Sequence, residues 1–111
     1  IDFYFACTDA LAYDVAIVLN AWCVESRGGA FNPIKSSLFL SHYQKRRKLS
    51  ETEIAALPLL LRGAALRFLL TRAHDWIFRD PSAQVNAKDP MEYAAKLRFH
   101  QQVRSVSEYG V

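Results

Sequence analysis

From Ser50 the chain carries a helix-start signature and then an apolar stretch, Ile54 to Leu70, broken by Pro58, Arg62 and Arg67, which leaves few options other than helix. Ser50-Glu51-Thr52-Glu53 is a capping box, in which the serine side chain takes the amide of Glu53 and the glutamate reaches back to that of Ser50. Ile54, Leu57, Leu61, Ala64 and Phe68 then recur at helical spacing and define one apolar stripe. Pro58 lacks the amide that would bond Ile54, so the sequence predicts a short helix followed by a longer one ending near Phe78. Arg62 and Arg67 sit among apolar neighbours, where their guanidinium groups either stretch out to solvent or meet a carboxylate inside. Gly63 and Ala64 leave room for another helix to come close. Arg72 and Asp75, three apart, read as a surface pair.

The remaining segments repeat this logic. Leu11, Val15, Val18 and Trp22 mark one helix face, with Thr8 or Asp9 as N-cap and Arg27-Gly28-Gly29 as terminator. Asn32-Pro33 reads as N-cap and first position of a helix to about Lys45, with Ile34, Leu38, Phe39 and Tyr43 facing inward. Lys45-Arg46-Arg47-Lys48 offsets the negative end of its dipole, and a solvated helix end is favoured over an anion patch. Arg79 to Lys88 is a polar connection without apolar period, predicted to be the most mobile part. Asp89-Pro90-Met91-Glu92 combines three helix-start signals; Tyr93, Leu97, Phe99 and Val103 form the apolar face of that helix, and Lys96, Arg98 and Arg104 its polar face. Trp22 and Trp76 read as core; His42, His74 and His100, scattered without metal-ligand spacing, read as surface or interface residues. The predicted fold class is mainly α: four to five helices after a strand end.

With 111 residues, 51% hydrophobic, the chain has the size of a single domain, residues 1–111. A formal charge of +3, with 14 basic and 11 acidic residues intermingled, demands no nucleic-acid partner. Cys7 and Cys23 lie in apolar contexts without repeated spacing, which favours reduced thiols and a cytoplasmic setting. The apolar run from Ile54 to Leu70, broken by Pro58, Arg62 and Arg67, argues against a membrane span.

Two carboxylates near the start are harder to place. Asp2 lies between apolar and aromatic residues with no cation nearby, and its plain alternative is a strand-end carboxylate capping a turn. Asp14 has Ala10, Leu11, Ile17 and Val18 as helical neighbours, so burial there requires a partner from elsewhere in the fold.

Ile1-Asp2-Phe3, a short loop, and Tyr13-Asp14-Val15-Ala16 resemble the end of the kinase-like core of the aminoglycoside phosphotransferase and choline kinase-like superfamily. Phe5-Ala6-Cys7-Thr8-Asp9, Leu19-Asn20-Ala21-Trp22-Cys23, the run from Arg62 to Arg72, Asp75-Trp76 and Lys96-Leu97-Arg98-Phe99-His100 are similar, more narrowly, to the bacterial homoserine kinase family. The resemblance runs from about residue 1 to about residue 101. It implies a carboxy-terminal helical subdomain of a kinase-like fold, whose amino-terminal nucleotide lobe and catalytic loop lie outside this chain.

By that resemblance Asp2 binds the magnesium that bridges the ATP phosphates, and Asp14 braces the catalytic loop. The catalytic aspartate of a His-Gly-Asp segment and its following asparagine have no counterpart here, so no catalytic residue is expected in this chain and the chain alone is expected to be inactive. The implied reaction transfers the terminal phosphate of ATP to the homoserine hydroxyl in threonine biosynthesis. Asp9, Asn20 and Arg67 are the candidates for binding homoserine, whose amine wants an acid and whose carboxylate wants cations or amides. Against these stand plainer roles: Asp9 as helix cap, Asn20 as a satisfied core amide, Arg67 as a buried pair for Asp14. A related phosphotransferase for choline, aminoglycosides or another alcohol remains an alternative, as does a non-catalytic helical interaction module.

Overall fold

A computed structural model describes residues 10–26, 28–82 and 87–111. The predicted strand end, Asp2, Cys7 and Asp9 lie outside them, as does part of the polar connection after Arg79. Within the described residues the chain is mainly α, as predicted: α1 (Leu11–Trp22), α2 (Pro33–Arg46), α3 (Glu51–Ile77) and α4 (Met91–Gln102), followed by a 3-10 turn, Val106–Tyr109. The spine is α3, against which both α1 and α4 pack. Leu57, Leu61 and Ala64 of α3 meet Val15, Ala16 and Leu19 of α1, all at most 1% exposed.

The capping box forms as predicted, with the Ser50 hydroxyl accepting from the Glu53 amide at 3.1 Å and Glu53 from the Ser50 amide at 3.0 Å. The predicted break at Pro58 does not occur, since α3 runs through it for 27 residues. A proline in a helix interior costs about 3 kcal/mol, whereas fully burying a leucine contributes about 1.5–3 kcal/mol. Leu57 and Leu61, on either side of Pro58, are both fully buried, and together they outweigh the lost hydrogen bond.

The ends of α1 also differ from expectation. Its N-cap position is Ala10 rather than Thr8 or Asp9, and it stops at Trp22, before Arg27. Beyond it, Val24 bridges antiparallel to Phe31, with Glu25 N donating to Ala30 O at 2.8 Å and Asn32 N to Cys23 O at 2.7 Å. The glycines make the turn of this short hairpin, Gly28 and Gly29 having φ of 81° and 66°. The side chain of Asn32 then caps α2 as predicted, accepting from the amides of Ile34 and Lys35. Its inward face is Ser36 and Leu40, with Phe39 and Tyr43 half-buried, while Ile34 and Leu38 point outward. Little of the structure reaches α2 apart from the 3-10 turn, so one narrow contact strip suffices. In its basic run, Arg47 pairs with Glu53 and donates to the Tyr43 hydroxyl, while Lys45, Arg46 and Lys48 are exposed.

At the start of α4 the Asp89 carboxylate accepts the Met91 amide at 2.8 Å, so Asp89 caps the helix although the assigned boundary falls a residue later. Arg72 is not paired with Asp75. It reaches across to Glu92 at 2.6 Å and lies over the Tyr93 ring, tying α3 to α4. Neither tryptophan is core in these residues: Trp22 is 76% exposed and Trp76 39%. By length and composition α3 could also cross a membrane, yet one face of it is the core just described.

The last turn of the chain locks against α2. Gly110 has φ of 81°, and a Cβ there would collide with the Pro33 carbonyl oxygen and come within 2.9 Å of Ser37 Cβ. Gly110→Ala therefore combines left-handed backbone strain with a clash against main chain, and should lower unfolding free energy by about 1–3 kcal/mol in urea titration.

Candidate functional site

The buried polar groups collect where the end of α1 meets α4. Lys96 and His100 are four residues apart and share a helix face, so both are delivered to the same place. Asn20 arrives from the last turns of α1. It is 1% exposed, its Nδ2 donates to the Leu61 carbonyl at 3.2 Å, and its Oδ1 lies 2.6 Å from His100 Nε2. With the amide oxygen as acceptor, His100 carries its proton on Nε2. The free Nδ1 then accepts the Tyr109 hydroxyl at 2.9 Å. One directed chain of hydrogen bonds thus links the 3-10 turn, α4, α1 and α3.

Lys96 completes it from the side. The last turn of α1 contains no basic residue, and its terminal carbonyls need donors. Lys96 Nζ donates to the Asn20 carbonyl at 2.7 Å, pairs with Glu92 at 3.2 Å and sits 4.2 Å from the Tyr93 ring centroid. A lysine predicted on the polar face is therefore buried, 6% exposed, because a neighbouring helix offers it an unpaired carbonyl. Burial pulls its pKa down, and the Glu92 carboxylate opposes that. Arg72 in turn holds Glu92 below the usual carboxylate range.

His100, predicted at the surface, is 1% exposed. Burial, reinforced by Lys96 and Arg62, lowers its pKa from 6.5 to about 4. The folded state therefore holds it neutral where the unfolded chain begins to take a proton. Stability is full above pH 6.5 and falls as pH drops from 6.5 towards 4, by on the order of 3 kcal/mol in all. Urea midpoints measured across that range should fall with acidity, and a His100→Gln variant should lose this part of the slope.

Beside this network lies a recess of about 420 Å³, bounded by Glu25, Glu92 and Lys96 with Ser26 and Gly29 at its edge. Its charged groups already have partners: Glu25 binds Asn32 and Lys35, and Glu92 binds Arg72 and Lys96. Among the described residues no group of three or more histidine, cysteine, aspartate or glutamate side chains could hold a metal ion. What this arrangement does chemically is brace: it fixes α1 to α4 and keeps its protons in place.

The site residues read from the sequence fall differently. Asn20, a candidate for the acceptor, instead has its side-chain polar atoms taken up by Leu61 and His100, because an amide so deep must be satisfied within the fold. Arg67 is exposed, its guanidinium 5.4 Å from the Phe68 ring centroid, and forms no pair with Asp14. Asp14 is itself exposed, contrary to the burial expected from its apolar neighbours, since the face it shares with exposed Leu11 and half-buried Ile17 and Val18 is turned away from the buried side of α1, which is Ala12, Val15, Ala16 and Leu19. The sequence marks none of Lys96, His100 and Tyr109 as a site residue: Lys96 reads as polar-face, His100 as surface or interface, and Tyr109 carries no reading. The available signal was the spacing of Lys96 and His100 on the face of Tyr93.

The described residues thus form a helical scaffold pinned by a buried histidine network. Comparison with known proteins gives the particular resemblance. The chain is similar over all 111 residues to the homoserine kinases of Afipia carboxidovorans (64% identical), Bradyrhizobium diazoefficiens (62%) and Paramagnetospirillum magneticum (61%). It spans 34% of the length of each of these relatives. No protein-family model matches the chain.

Proposed function

We propose that this chain is the carboxy-terminal helical part of an ATP-dependent homoserine kinase of kinase-like fold, acting in the cytoplasm in threonine biosynthesis. The observation that carries this is 61–64% identity to three homoserine kinases without a gap in coverage of the chain. In this reading the reaction is in-line attack of the homoserine hydroxyl on the terminal phosphate of ATP, which depends mainly on positioning and charge stabilisation. Asp2 offers a hard carboxylate oxygen, the donor type magnesium takes together with substrate phosphates. Magnesium, when bound there, would neutralise charge on the phosphates. Asp14, exposed on α1, is free to brace backbone supplied by the amino-terminal part of the same protein. Asp9 and Arg67 remain candidates for the ammonium and carboxylate of homoserine.

The chain by itself lacks the base and the nucleotide lobe, and should transfer no phosphate. The test is ADP release by the full-length parent with homoserine, choline and a panel of aminoglycosides as acceptors. Preference for homoserine supports the reading; preference for choline or an aminoglycoside replaces it with a related phosphotransferase.

A further inference from the structure

The outer face of α3, turned away from α1, carries an apolar seam whose large side chains the described residues leave exposed, only Ala73 being half-buried. Leu59, Gly63, Leu66, Leu70, Ala73 and Ile77 are alternately four and three residues apart, the spacing with which one helix receives another. Leu59 is 65% exposed, Leu66 44%, Leu70 59% and Ile77 71%. At the centre is Gly63, where an added Cβ would meet nothing within 4 Å. A glycine in a helix interior costs about 1 kcal/mol relative to alanine. The fold described here draws no benefit from that cost, whereas a helix crossing at Gly63 would.

The flanks decide which kind of helix. No acidic residue occurs from Ile54 to His74, and Arg62 and Arg67 are exposed on either side of the seam. A second copy would set these cations beside their own equivalents. A bilayer would have to take both arginines near its centre, at about 2.5–3.5 kcal/mol each. A helix with a small residue over Gly63 and carboxylates along its edges meets neither penalty. The relatives supply polypeptide for it, since this chain spans only 34% of their length.

We propose that the Leu59 to Ile77 face of α3 is the seat of an acid-flanked amphipathic helix from the part of the parent polypeptide outside this chain. This rests on the reading that the chain belongs to a kinase-length protein.

Gly63→Ala in the full-length protein tests it by sign. On a bare helix face alanine raises the melting temperature; under a closely packed helix its methyl group lowers it by a few degrees. In parallel, Leu70→Cys should react with a maleimide on the order of 100-fold more slowly in the native protein than in the denatured one. Arg62→Glu should also lower the melting temperature, by facing carboxylates with a carboxylate. The proposal is overturned by a rise in melting temperature for Gly63→Ala, or by native labelling of Leu70→Cys at the denatured rate. It is overturned equally if the protection depends on protein concentration and the protein sediments as a dimer, or if it requires phosphatidylcholine vesicles. Homoserine phosphorylation by the same unsubstituted protein reports separately on the function: a protected seam in a protein that ignores homoserine would end that reading and leave this one standing.

Discussion

His100→Ala is expected to lower the unfolding free energy by about 3–5 kcal/mol, a large part of the 5–15 kcal/mol typical of a domain. The substitution strands two buried groups at once. Asn20 Oδ1 loses its donor and the Tyr109 hydroxyl its acceptor, with both side chains at most 1% exposed. Each orphaned polar group costs about 1–3 kcal/mol, and the vacated ring volume adds a cavity. Tyr109→Phe removes one hydrogen bond and should cost about 1–2 kcal/mol. Because Asn20, His100 and Tyr109 form one chain, the His100→Ala and Tyr109→Phe effects should combine to less than their sum. Urea titration of the parent protein reads all three; a loss under 1 kcal/mol for His100→Ala would show that the network carries no weight in holding α4 to α1.

Asp2→Ala is expected to cut homoserine phosphorylation by the parent enzyme about 10²–10³-fold, the range seen when a preorganised charge stabiliser is removed. The proposed role gives the side chain work only when ATP is bound, so folding should change little. The discriminating measurement is turnover against magnesium concentration at saturating homoserine. Asp2→Ala should need more magnesium and still reach a lower plateau, whereas Asp14→Ala, proposed to act only by bracing backbone, should not shift the magnesium dependence. Unchanged turnover in Asp2→Ala would remove Asp2 from the metal site and leave the helices as a scaffold of another purpose.

Most element boundaries were readable from local chemistry. The Ser50 capping box, the Asn32-Pro33 start of α2 and the Asp89 cap of α4 are each decided within four residues of chain, and each forms as local rules require. The resemblance of the chain to homoserine kinases was readable from motifs for the same reason, since a motif is a local object. Failures gather where a distant partner sets the outcome. Pro58 does not break α3 because Leu57 and Leu61 are held by α1, and Lys96 goes inside because Asn20 presents a carbonyl 76 positions earlier.

The sequence by itself determined where α2, α3 and α4 begin, because capping and turn geometry depend on neighbours in the chain. Only the tertiary structure decided which polar side chains are buried. A lysine or histidine enters a core when its desolvation is offset by hydrogen bonds, and the groups that supply those bonds to Lys96 and His100 stand on other elements.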